Sequence, residues 1–272
     1  MLTVRRRAGN AYMSIGDMAR LGTSILRSEL LPPRTTREWL KPGALTGEPS
    51  EAVGKPWEIT RMNLPVSASS NVTRLVDLYT KAGGIGAYSS VLVLSPDHSF
   101  GIAVLSASQT GSPSTIILQE ALADIWIPAA EFMAREQAAR NFAGRYVLDG
   151  TSNSTVNLAV RPDRSGIGVA SFVYNSTDVL GLESASVAVD LYLMQQTKTK
   201  AAFRTSTQTA GRSIPRSLTF VKSCVGIWTG LDGTRYGNVG KDEVLFDLDS
   251  SGKATCLEVP ITRIKNCWKR VQ

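Results

Sequence analysis

The sequence predicts an α/β chain of the α+β kind: an antiparallel sheet flanked by helices, followed by a small all-β barrel or sandwich. Three observations predict it. Tyr88–Ser95 and Phe100–Ala107 are near-continuous apolar runs joined by the turn sequence Pro96-Asp97-His98-Ser99. A four-residue link makes them an antiparallel hairpin. From Ser114 to Arg140 an apolar stripe at helical spacing passes through Ile117, Leu118, Ala121, Leu122, Ile125, Trp126, Ala129, Phe132 and Met133. From Phe142 onward, short stretches rich in Val, Thr, Tyr and Phe alternate with turn signals: Leu148-Asp149-Gly150, Arg161-Pro162-Asp163, Leu231-Asp232-Gly233 and Ser250-Ser251-Gly252. That rhythm predicts roughly seven to nine strands. The boundary falls near residue 141, giving domains 1–140 and 141–272.

In chain order, Ser14 followed by Asp17 makes a capping-box-like start for a helix over 14–28, with Ile15, Met18, Ala19, Gly22, Ile25 and Leu26 on one side. Leu31-Pro32-Pro33 ends it, and Arg34–Leu40 forms a second, short helix before Lys41-Pro42-Gly43. Residues 43–70 are rich in Gly, Pro and Ser, with little periodicity, and read as a long surface excursion. Leu75–Thr80 is strand-like and leads into Lys81-Ala82-Gly83-Gly84-Ile85-Gly86. The hairpin after it lacks polar alternation, so its strands are expected to be buried on both faces, under helices on each side. Pro128 is expected to kink the following helix or divide it in two.

Composition bounds the function. With 43% hydrophobic and 19% charged residues over 272 positions, the chain is globular and long enough for two cores. No apolar run has the length of a bilayer span. The formal charge of +7 comes from scattered Lys and Arg, with aromatics at 7% and one terminal cluster, Arg5-Arg6-Arg7. A solvated basic surface is the expected reading, rather than a nucleic-acid site. Cys224, Cys256 and Cys267 fit no zinc spacing; they allow one disulfide plus a thiol, or three reduced residues. No metal and no cofactor is expected. The N-terminal residues carry charge but no apolar h-region, so they are not a secretory signal as they stand. Three glycosylation sequons begin at Asn71, Asn153 and Asn175.

Four segments carry a family resemblance. Gly9-Asn10-Ala11-Tyr12-Met13-Ser14-Ile15-Gly16-Asp17-Met18-Ala19-Arg20-Leu21-Gly22 resembles the "GG-x-x-S-x-x-D-L-A-x-x-G" segment of serine β-lactamases and penicillin-binding-protein-like hydrolases. Trp39-Leu40-Lys41-Pro42 and Pro56-Trp57-Glu58-Ile59 are similar to stretches of that family's fungal secreted branch. Tyr79-Thr80-Lys81-Ala82-Gly83-Gly84-Ile85-Gly86-Ala87-Tyr88-Ser89-Ser90 resembles its third motif, "[KH]-[ST]-G-G-x-x-G-[FY]-S-S". Their order and spacing are the family's, and the β-rich tail resembles the accessory domain of that branch.

The resemblance implies a partial β-lactamase-like sheet and acyl transfer through an acyl-serine, acting on an ester or amide small molecule. By resemblance, Lys81 supplies positive potential beside the nucleophile or substrate, and Gly83 leaves room for the substrate. The N–H of Gly84 serves as one of two oxyanion donors. Secretion is likewise implied by resemblance, alongside the sequons. The departures are equally specific. The family's Ser-x-x-Lys and Tyr-x-Asn motifs lie upstream of the segment beginning here at Gly9. Ala82 stands where a Thr or Ser hydroxyl is usual, which counts against a β-lactam or peptidoglycan-like substrate. The chain is therefore expected to be the C-terminal part of such an enzyme, truncated, degenerate or processed, and inactive alone. Residues 1–140 are expected to be marginal in isolation. A rival reading from another class is a non-catalytic protein whose β domain binds an apolar ligand or a partner. Oligomeric state is not legible.

Several spellings are expected to be decoys. Ser250-Ser251-Gly252-Lys253 and Tyr236-Gly237-Asn238 match the first two motifs but fall in turn-like stretches, whereas the first motif needs a helix to put Ser and Lys on one face. Tyr88-Ser89-Ser90 reads as strand core. His98, the sole histidine, reads as a solvated turn residue. The glycine cluster at 83–86 lacks the Gly-Lys-Ser/Thr ending and the helix of a phosphate loop.

Overall fold

The computed structural model describes residues 11–108, 112–183, 187–209 and 235–271. Arg5-Arg6-Arg7, Gly9, Cys224 and the turn at Leu231 lie outside them. The chain divides into two compact units, at Ala134 and Arg135.

In the first unit, α1 (Ile15–Leu26) begins as the sequence predicts: Ser14 Oγ accepts from Asp17 N, and Asp17 bonds back to the Ser14 backbone. The second helix, α2, is Pro33–Trp39. The stretch read as a surface excursion is instead three strands. β1 (Ala44–Leu45), β2 (Glu51–Val53) and β3 (Glu58–Pro65) pair antiparallel, and β3 pairs in full with β4 (Thr73–Ile85). The Gly and Pro content masked an alternation: Trp57, Ile59 and Leu64 are buried, while Glu58 and Thr60 are exposed. β5 (Tyr88–Ser95) and β6 (Phe100–Ala107) complete a six-stranded sheet in the order β1-β2-β3-β4-β5-β6.

Strand alternation splits the sheet's side chains into two cores. Ile59, Tyr79, Leu92 and Leu94 pack with Met18 of α1, joined by Trp57. Val76, Leu78, Val91, Val93 and Val104 pack with Ala123 and Ile127 of α3 (Ser112–Phe142). Helices thus cover both faces, as the unbroken apolar runs predict. Pro128 does not divide α3, which is continuous through it. Its missing N–H removes one helical hydrogen bond, and the packing of Ile127 beside it offsets that loss.

In the second unit, among the described residues, eight strands close a ring: β7 (Gly144–Leu148), β8 (Thr155–Ala159), β9 (Ile167–Tyr174), β11 (Val187–Gln196), β12 (Lys200–Thr209), β15 (Glu243–Leu248), β16 (Ala254–Glu258) and β17 (Trp268–Val271). Between them lie β10 (Thr177–Asp178), a helical turn α4 (Val179–Glu183), and the small hairpin β13 (Arg235–Tyr236) and β14 (Val239–Gly240). The β8–β9 pairing closes the circle, so the domain is a barrel rather than a sandwich. Its interior is filled by Tyr146, Phe203, Phe246, Leu257 and Trp268. The last turns of α3 contribute Ala138 and Phe142 to that core, which is why the division falls inside the helix rather than at 140/141. Gly150 (φ +82) and Gly252 (φ +82) sit in turns anticipated from sequence, in a conformation that favours glycine. Cys256 and Cys267 form a disulfide. No helix among the described residues is long and apolar enough to cross a membrane.

Candidate functional site

The third-motif residues lie where β4 outruns its neighbour. β3 pairs with β4 from Pro65↔Thr73 to Glu58↔Thr80 and stops, whereas Lys81–Ile85 continue against β5 alone. Among the described residues, the edge of β4 facing away from β5 is therefore open here, and all five are exposed. Ala82 N donates to Glu58 Oε2 at 3.3 Å, which fixes that N–H on the open side. Gly84 is two residues on, so its N–H points the same way. The two-residue turn after Ile85 has Gly86 at φ +59, as a tight hairpin needs at its first position.

Lys81 and Gly83 share a face with their register partners Leu92 and Ser90. A Cβ on Gly83 would come within 3.0 Å of Ser90 Oγ, so glycine here serves space rather than a special backbone angle. Lys81 Nζ lies 2.5 Å from Glu58 Oε1 and 3.2 Å from its neighbour's carbonyl, Ala82 O. Sequence reasoning gave Glu58 no role; the polar–apolar alternation of Glu58 with Trp57 and Ile59 was the signal for a strand there. Trp57 is buried, with its ring 5.0 Å from Trp39 and 6.2 Å, edge-on, from Tyr79. Burial first, and then Asp77, push the Tyr79 hydroxyl up to about 12, so it remains protonated.

The second constellation corrects the reading of His98. Its side chain is almost wholly buried, with Nδ1 2.7 Å from Ser95 Oγ and Nε2 2.7 Å from Glu131 Oε2. Arg74 grips the same carboxylate through both oxygens, at 2.9 and 2.6 Å, and also reaches Asp97 at 2.9 Å. Burial raises the Glu131 carboxyl, but the bonds from His98 and Arg74 outweigh it and hold it at about 2. An ionised carboxylate can only accept, so Nε2 carries the proton. The partners that bury His98 come from β4 and α3, far along the chain, and a local turn reading could not include them. Although this is a Ser–His–carboxylate relay in outline, Ser95 is 1% exposed and cannot reach a substrate. Its role is to tie the β5–β6 turn to α3.

Other candidates resolve simply. Ser251 bonds Asp249 in the β15–β16 turn, and Tyr236 ends β13 with Gly237-Asn238 in the turn to β14. Ser89 is buried as expected, but Tyr88 is 66% exposed, so that spelling is only partly core. Asn71, Asn153 and Asn175 are all exposed, and Asn153 Nδ2 donates to Asn175 Oδ1 at 3.0 Å. Asp247, Cys256 and Glu258 converge, but Cys256 is in the disulfide and Asp247 pairs with Lys200 at 2.8 Å, which leaves no thiolate for a metal. A cavity of about 340 Å³ between α1 and β5–β6 has a mixed polar and apolar lining, with Arg27 its one charged lining residue.

A family described as "Beta-lactamase-like-like, C-terminal domain" matches residues 134–267, the barrel unit. The chain is 30% identical over 180 residues to a β-lactamase-like protein of Arthroderma benhamiae, a match spanning 63% of this chain and 30% of that protein. It is 28% identical over 153 residues to the probable hydrolase M10 of a Phoma species, covering 54% of this chain and 24% of the relative. To the β-lactamase-like protein str6 of Strobilurus tenacellus it is 26% identical over 247 residues, 85% of this chain and 74% of that one. The chain thus spans under a third of the first two relatives. Among solved structures, an octameric penicillin-binding protein homologue from Pyrococcus abyssi aligns with 93% of this chain and 46% of its own at 14% identity. Its TM-score of 0.32 is too low to support any functional step. The barrel unit thus matches the β-lactamase-like C-terminal domain family over residues 134–267, and the chain is similar to fungal β-lactamase-like proteins.

Proposed function

We propose that Lys81–Gly84 form one wall of an acyl-transfer site, for hydrolysis of an ester or amide or transfer of its acyl group through an acyl-serine. One observation carries the reading: β4 runs past β3, so that the Gly84 N–H points off an exposed edge on the same strand as Lys81. A serine oxygen attacking a substrate carbonyl makes an oxyanion, and such a preorganised N–H stabilises it. The serine gives its proton to a base, the leaving alcohol or amine takes a proton, and water or another acceptor then releases the acyl group. The serine at this edge, Ser90, directs its Oγ to the Gly83 carbonyl at 3.5 Å rather than to a base, so these residues are read as part of a site. Acting alone, they are expected to be inactive.

Three exposed sequons and the Cys256–Cys267 disulfide support an oxidising, secretory location. The rival reading of an apolar ligand inside the barrel is disfavoured, because Tyr146, Phe246 and Trp268 fill that space.

The test is to treat the native gene product, isolated from its source and deglycosylated, with an activated aryl ester and measure intact mass. An acyl adduct on a serine, in a product heavier than 29.3 kDa, supports the proposal. No adduct on such a product, with ligand-dependent thermal stabilisation instead, would favour the binding role.

A further inference from the structure

We infer that Glu58 sets the charge preference of this edge, turning it towards uncharged acyl groups and away from carboxylates. The inference rests on reading Lys81–Gly84 as the acyl-binding strand. Lys81 Nζ and the Ala82 N–H are well placed to hold a carboxylate here, and they already hold one. Glu58 Oε1 lies 2.5 Å from Nζ, and Oε2 accepts from Ala82 N at 3.3 Å. Each oxygen of the carboxylate thus has its own donor, as in a bound anion.

The local structure keeps Glu58 in place. Thr80 Oγ1 donates to the Glu58 carbonyl at 2.7 Å, and the preceding Trp57 is buried between Trp39 and Tyr79. Glu58 is the last β3 residue paired to β4, so its side chain lies at the point where the edge opens.

An incoming carboxylate would have to displace Glu58 or share Lys81 with it, placing two like charges against one ammonium. Ala82 offers no hydroxyl to compensate. A neutral carbonyl meets no such conflict, because the Gly84 N–H lies one strand repeat beyond Ala82 and can receive it while Glu58 stays. The half-exposed setting of the pair, 45% for Lys81 and 56% for Glu58, makes the expected preference modest.

The experiment titrates the ¹⁵N-labelled chain with benzamide and, separately, with benzoate, following the amide signals of Lys81–Ile85. In the native chain benzamide is expected to shift Ala82 and Gly84, and benzoate to bind more weakly. In Glu58→Gln, benzoate affinity should rise by about threefold or more while benzamide is unchanged. If benzoate binds the native chain as well as benzamide, or Glu58→Gln leaves benzoate unchanged, Glu58 is not the selector, although the edge still binds acyl groups. If neither probe shifts this strand in either variant, the acyl-site reading itself fails and the inference falls with it.

Discussion

The two units solve the problem of sheet edges in opposite ways. The barrel has none around its ring: β8 returns to β9, and every ring strand has a neighbour on both sides. The six-stranded sheet ends in β1 on one side and β6 on the other, and among the described residues nothing pairs with the outer edge of β6. Its covering helix is also only half used. Ala123 and Ile127 are buried, but Ile117, Ile125, Phe132 and Met133 are 65%, 66%, 55% and 65% exposed. Closure makes a fold self-sufficient, whereas an open edge keeps backbone groups available and exacts a cost in stability. The candidate site lies in the open unit, at another place where a strand outruns its partner.

The sharpest way to break this comparison is to damage the closed unit. Trp268 is 1% exposed and stacks edge-on with Phe172. Trp268→Ala should cost about 3–5 kcal/mol and make the barrel the first unit to lose protection in limited proteolysis. In the native chain the first cuts are expected within the open sheet unit instead. Early cuts in the native barrel would reverse the comparison.

A smaller effect concerns the buried relay. Glu131→Gln leaves Arg74 with Asp97 but without its more buried carboxylate partner, and about 2–3 kcal/mol should be lost from the sheet unit in urea denaturation. The sign with pH follows from the lowered carboxyl. Glu131 titrates at about 2 when folded, against an ordinary 4.5. Its stabilisation is complete above the ordinary value and is lost as pH falls from about 4.5 to about 2. The acid loss should be shallower in Glu131→Gln; equal pH dependence in both proteins would show that Glu131 is not responsible. The smallest effect is at the surface: Ser14→Ala removes the α1 cap and should cost about 1 kcal/mol by thermal denaturation.

Where local pattern and tertiary role agreed, the sequence was readable. The β5–β6 hairpin declared itself because strands buried on both faces need no alternation, and α1 because its cap is made within four residues. Lys81, Gly83 and Gly84 were singled out only through resemblance, since nothing in their spacing shows where the β3–β4 pairing ends. β3 was hidden by the turn-forming residues around it. His98 was hidden for a different reason: a residue at a hairpin tip is buried only if something distant covers it, and Arg74 and Glu131 are distant in sequence.

Arg270 gives the barrel one further property. From β17 its guanidinium bonds the carbonyls of Arg140 and Asn141 at the C-terminal end of α3, and of Ala143 just beyond it. The final strand is thus both a stave of the barrel and the stopper on the helix that leads into it. Trimming the chain back to Cys267 would pull both at once, so shortened versions for crystallisation should leave this end whole.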